Sequence, residues 1–218
     1  MRKIISSVLI TSLLMMGGYL MVEPEMIKAV NDQIVVTQHV SAEISISSPA
    51  DVAMSNSIPG MTGGSATGSA TWVVVTNNVE GFNMSIAANT APAMMLGGDP
   101  AWVFTNYTPT TTTAPDYNWG VPANKEAEFG FTVEPQTTAD TDPFFKDNGT
   151  GACNTGTANT VNTCWWPLST TAKQIINRPN HTAEAGEAEV VKFKAESSAK
   201  YLKEGNYTAT VTATAVMN

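Results

Sequence analysis

A polar–apolar alternation of period two recurs along most of this chain, and no long helical period appears after residue 30. In residues 42–47, Ala42, Ile44 and Ile46 share one side, while Glu43, Ser45 and Ser47 share the other. Phe82, Met84 and Ile86 repeat the pattern, as do Phe129, Phe131 and Val133 and then Val191, Phe193 and Ala195. At the C-terminus Tyr207, Ala209, Val211, Ala213 and Ala215 alternate with Thr208, Thr210, Thr212 and Thr214. Successive strand side chains point to opposite faces, so each run reads as a half-buried strand. Threonine suits the wet face because its β-branch favours extended backbone. Residues 70–76 are apolar on both sides, with Trp72 and Val74 backed by Val73 and Val75, and read as a strand buried on both faces. Asn77-Asn78, Glu80-Gly81 and Glu204-Gly205 supply turns. Short strands joined by Gly, Pro and Asn turns, without crossover helices, predict an all-β protein. The expected architecture is an antiparallel, immunoglobulin-like β-sandwich with long loops.

Three stretches break the alternation. Residues 60–68 read as a flexible glycine-rich loop, without the lysine and following helix of a phosphate loop. The threonine-rich run 108–115 reads as an exposed connection. Residues 140–164 carry both cysteines of the chain. One short helical turn is expected over residues 197–203.

Arg2 and Lys3 precede an uncharged run, residues 4–22, which has the form of an export signal. That run also approaches the roughly 20 residues that span a bilayer. Two readings stand: a signal peptide cut after Ala29, or a retained N-terminal membrane anchor through residues 4–22. Either makes residues 1–29 an export segment and residues 30–218 a single β-sandwich domain, placed outside the cell or on its surface. In that compartment Cys153 and Cys164 are expected to form a disulfide that closes a Gly/Asn/Thr loop.

With 11 basic and 19 acidic residues the net charge is −8, which disfavours nucleic acid as a partner. His39 and His181 belong to no catalytic motif, and no nucleophile–base pair is apparent, so the chain is expected not to be an enzyme. Asp140, Asp142 and Asp147 lie in a glycine-containing loop whose oxygens could hold Ca²⁺, although their spacing is not that of an EF-hand. The alternative is that no cofactor is bound. Glu187 and Glu189 are expected to be solvated on a strand. Trp102, Trp119, Trp165 and Trp166 lie in loop-rich stretches, where aromatic rings serve as platforms for sugars or a protein surface, or pack loops onto the sandwich.

The stretch 72–86, with Thr76-Asn77-Asn78 followed by Gly81-Phe82-Asn83-Met84, together with the Tyr-led threonine strand at 207–213, resembles the WxL-type surface domains of Gram-positive bacteria. That resemblance implies a secreted β-sandwich adhering noncovalently to the cell wall. Phe82-Asn83-Met84 and Val211-Thr212-Ala213 stand at the places of its two Trp-x-Leu signatures, whereas the literal Trp166-Pro167-Leu168 falls just past the second cysteine. The long extended stretch 32–48 is similar to that of TasA/camelysin-type fibre proteins. This likeness implies assembly by an N-terminal strand lent to a neighbour. The expected function is a non-enzymatic structural or adhesive surface protein that self-assembles through its N-terminal strand, with another surface protein or cell-wall glycan as partner. The alternative is a glycan- or wall-binding module that uses the loop tryptophans.

Overall fold

The structure, a computed structural model, describes residues 32–134, 137 and 139–218. The chain divides into two compact units, Met1–Val40 and Ser41–Asn218. Of the first, residues 32–40 are described. They carry no regular secondary structure, and Ile34, Val35, Val36 and Val40 are exposed. The expected export segment, residues 1–29, lies outside the described residues. Among those described, no helix is long and apolar enough to cross a membrane.

The second unit is all β. Its strands are β1 (Ile44–Ile46), β2 (Gly64–Thr76), β3 (Phe82–Ala88), β4 (Met94–Leu96), β5 (Asp99–Asn106), β6 (Ala127–Glu134), β7 (Trp166–Pro167), β8 (Lys173–Arg178), β9 (Glu187–Ser197), β10 (Tyr207–Thr208) and β11 (Val211–Met217). Among the described residues the larger sheet runs β1-β2-β9-β6-β5-β4-β10, with β7 added to β6, and the smaller runs β11-β3-β8. The two face each other across one core. The large sheet contributes Trp72, Val74, Met94, Phe104, Phe129, Phe131, Val191 and Phe193. The small sheet contributes Phe82, Met84, Ile86 and Ile176. Cores of this kind hold because each fully buried side chain contributes about 1.5–3 kcal/mol.

The alternation read from the sequence is visible in the burial. Along β11 and the residues before it, Tyr207, Ala209, Val211, Ala213 and Ala215 are half-buried, while the intervening threonines are exposed. β8 departs from strict alternation. Met84 pairs with Ile176 and Ser85 with Gln174, so Ile175 is an extra residue in a bulge, and Ile175 and Ile176 are both buried.

Three expectations are corrected. The glycine-rich stretch 60–68 is not a loop throughout: β2 begins at Gly64 and pairs with β9 from Gly64↔Ser197 onward. Glycine is needed at Gly68, where a Cβ would come within 2.5 Å of Val52 Cγ1, because residues 52–54 cross directly over the strand. Residues 197–203 form no helix, and the one helical turn among the described residues is a 3-10 turn at Pro143–Phe145. Nor is the sandwich wholly antiparallel, since β5 and β6 run parallel. A parallel pair needs a connection of a dozen residues or more. Residues 107–126, including the threonine-rich run, provide it.

Candidate functional site

A groove opens at one corner of the sandwich. After β10 the chain leaves the large sheet and enters the small one as β11, whose outer edge pairs with no other strand among the described residues. The groove, of about 690 Å³, lies beside this crossing. Residues 46–54 form one wall, and residues 207–213 form the other. Its floor is the inner face of the large sheet: Ala70 and Trp72 of β2, Phe193 of β9, Phe129 of β6 and Met94 of β4. Asp51 is the one charged residue of the lining. Such a site offers a mixed polar and apolar surface over a buried aromatic floor, beside a strand edge, but no acid–base pair for chemistry.

The cysteines form a disulfide as expected, Cys153–Cys164, with Cα atoms 5.6 Å apart. Reducing it, or replacing both cysteines by serine, is expected to cost about 2–3 kcal/mol in the chain-entropy account. Denaturant unfolding with and without reductant measures this.

Just before the loop it closes, Asp147 is fully buried and its carboxylate reaches into that loop. Its Oδ1 accepts the backbone N–H of Gly149 at 2.6 Å and the Thr160 hydroxyl at 3.1 Å. Its Oδ2 accepts the backbone N–H of Thr160 at 2.7 Å, with the Thr163 hydroxyl at 3.3 Å. Burial alone would raise this carboxyl, but the donors from Thr160, Gly149 and Thr163 outweigh it and hold the group below its usual range. The structure does not bring Asp140, Asp142 and Asp147 together as a ligand set. Asp140 pairs with Arg178, while Asp142 caps the 3-10 turn at the Phe144 N–H and accepts Gln174 Nε2 at 2.7 Å. Among the described residues no group of three His, Cys, Asp or Glu side chains is arranged to hold a metal.

The four candidate tryptophans fall into three places, and two of them lie on strands rather than in loops as expected, Trp102 on β5 and Trp166 on β7. Trp119 stacks on Tyr107 at 4.3 Å between ring centroids and meets Trp165 edge-on at 5.1 Å. This group covers the outer face of β6 at Gly130, where a Cβ would come within 2.8 Å of Tyr107 and 3.2 Å of Trp119. The Tyr107 hydroxyl donates to Asp116 at 2.6 Å and accepts the Gly120 N–H at 2.9 Å, which ties the crossover connection together. Burial, reinforced by Asp116, pushes that phenol above its ordinary pKa. Trp166 meets Phe144 edge-on at 4.8 Å, and Lys173 Nζ lies 3.1 Å from the Phe144 centroid. Burial lowers the Lys173 pKa. Trp102 alone pairs with an exposed ring, Tyr201, at 6.0 Å.

Glu189 corrects a further expectation. It is not solvated: it is 3 % exposed, and its Oε1 has no hydrogen-bond partner among the described residues. Burial first, then the nearby carboxylates of Asp140 and Glu187, push its pKa up to about 8. Arg178, the cation of this cluster, is already engaged with Asp140 and with Glu187 at 3.3 Å. A signal for this was present in the sequence, because Glu189 falls on the same period-two face as Val191, Phe193 and Ala195. The groove had no such signal, since its floor comes from four strands distant in sequence. The chain matches no protein-family model, and no curated protein matches it.

Proposed function

We propose that this chain is an exported, non-enzymatic structural protein of the cell surface that assembles by lending its N-terminal strand to a neighbour. The observation that carries this reading is the groove beside the unpaired edge of β11. An apolar floor next to a strand edge with no strand partner among the described residues is the receptor that β-augmentation requires, with the edge supplying hydrogen bonds and the floor reading alternate side chains. The proposed occupant is residues 34–40 of a second copy. That stretch carries Ile34, Val36 and Val40 on one face and no acidic or basic residue apart from His39. It has the seven-residue length of β11, roughly 23 Å at about 3.3 Å per residue. A head-to-tail contact of this kind need not close on itself and grows a filament. The disulfide and the cationic–apolar N-terminus support an extracytoplasmic setting.

The full mature chain is therefore expected to self-associate at high concentration. Deleting residues 30–40 should leave a folded monomer. Ala213→Trp, which fills the groove from β11, should also give a folded monomer. Analytical ultracentrifugation and electron microscopy measure assembly, and circular dichroism measures folding. A full-length chain that stays monomeric at high concentration, or an Ala213→Trp variant that assembles as well as the wild type, would sink the proposal.

The alternative of a glycan-binding module rests on Trp102 with the exposed Tyr201, since Trp119, Trp165 and Trp166 are engaged in packing. A glycan array probed with wild type and Trp102→Ala is its test: binding lost in the variant supports it.

A further inference from the structure

We propose that Lys192 and Asn162 are joined by an intramolecular isopeptide bond, with Glu134 as the proton acceptor for its formation. Three elements converge to build this site: β9 supplies Lys192, the adjacent strand β6 supplies Glu134, and the disulfide loop supplies Asn162. Lys192 Nζ donates to Asn162 Oδ1 and stands 3.8 Å from Glu134 Oε1. Asn162 is held in place at both of its backbone polar groups. Its N–H donates to Glu134 Oε1 at 3.3 Å, and its carbonyl accepts the Trp165 indole N–H at 3.0 Å. Its φ of 62° lies in the left-handed region, which asparagine tolerates better than most residues. The lysine and glutamate side chains are only 22 % and 12 % exposed. A nucleophile, an electrophile and a carboxylate are thus gathered in one place, with the lysine and glutamate largely covered and Asn162 exposed, and it is this proximity that makes a slow bimolecular amide exchange effectively unimolecular.

The chemistry balances without any other reactant. Glu134 takes a proton from the Lys192 ammonium, and the freed amine attacks Asn162 Cγ. The proton is returned as the Cγ–Nδ2 bond breaks. Ammonia leaves, and an amide links Nζ to Cγ. Lysine ammonium and asparagine amide become one secondary amide and ammonium, so charge and atoms are conserved. Together with Cys153–Cys164, the bond makes the loop bicyclic and fastens it to the middle of the large sheet. It does not depend on the assembly proposed above.

Intact-mass spectrometry of the full-length protein, reduced and denatured, is the test. The wild type should be lighter than its sequence by one ammonia, and proteolysis should yield a branched peptide joining Lys192 to Asn162. Lys192→Arg, Asn162→Ala and Glu134→Gln should each restore the sequence mass, while Lys194→Arg should retain the loss. A wild-type protein at its full sequence mass, or an ammonia loss that maps to an unbranched peptide, overturns the proposal.

Discussion

Glu189→Gln should stabilise this protein at pH 8, by up to about 5 kcal/mol, and leave it nearly unchanged at pH 4. Glu189 is buried beside Asp140 of a neighbouring segment and Glu187 two residues away on β9, with Arg178 already committed to those two carboxylates. Its pKa rises from an ordinary 4.5 to about 8. A carboxyl whose folded pKa is raised binds its proton more tightly in the native state, so the stabilisation is fully present below about 4.5. It is lost steadily as pH rises to about 8, at about 1.4 kcal/mol per pH unit. Burial raises Glu128 and Asp140 in the same direction, which adds to the fall. Glutamine has the same shape and never ionises, so its advantage grows through this window and levels off above it. Denaturant midpoints measured from pH 4 to 9 should show wild-type stability declining and the variant much flatter. A wild type equally stable at pH 5 and pH 8 would refute the reading.

Asp147→Ala should destabilise the protein by about 3–5 kcal/mol, since it strands buried donors around a site built for a carboxylate. The Gly149 N–H, the Thr160 N–H and the Thr160 hydroxyl all lose their acceptor. At about 2–4 °C per kcal/mol for a domain of this size, Tm should fall by roughly 6–20 °C. Asp142→Ala is the control: it removes one cap contact and one side-chain bond on a half-buried turn, which typically costs about 1 kcal/mol. The pH sign is opposite to that of Glu189. Because the native environment lowers the Asp147 pKa, its contribution is present at neutral pH and is lost as pH falls through that low value, in the acid range. The Ala variant should therefore show a shallower loss of stability in acid. Equal Tm values for Asp147→Ala and Asp142→Ala would contradict this account.

What the sequence determined by itself is the part that depends on neighbours along the chain. Strand alternation is local, since side chains two residues apart share a face whatever lies across from them, and so the strands around Met84, Phe131, Phe193 and Ala213 were legible. The disulfide was legible because the chain has only two cysteines. Tertiary structure decided everything set by partners distant in sequence. Gly64–Gly68 became strand because β9 offers a full ladder of hydrogen bonds, which outweighs the weak strand preference of glycine. Residues 198–203 were drawn from helix by backbone hydrogen bonds to distant segments, Ser198 to Glu126 and Lys125, and Leu202 to Gly60. Glu189 was buried by its place on a core face, against the usual preference of a carboxylate for water. Asp147 became a structural hub because the folded-back loop surrounds it with N–H groups. The tryptophans were claimed by packing wherever a strand face such as Gly130 needed cover. The groove exists because residues 46–54 and the crossing from β10 to β11 pass on either side of the large sheet's inner face. That arrangement lies between two sheets and has no counterpart in any single stretch of sequence.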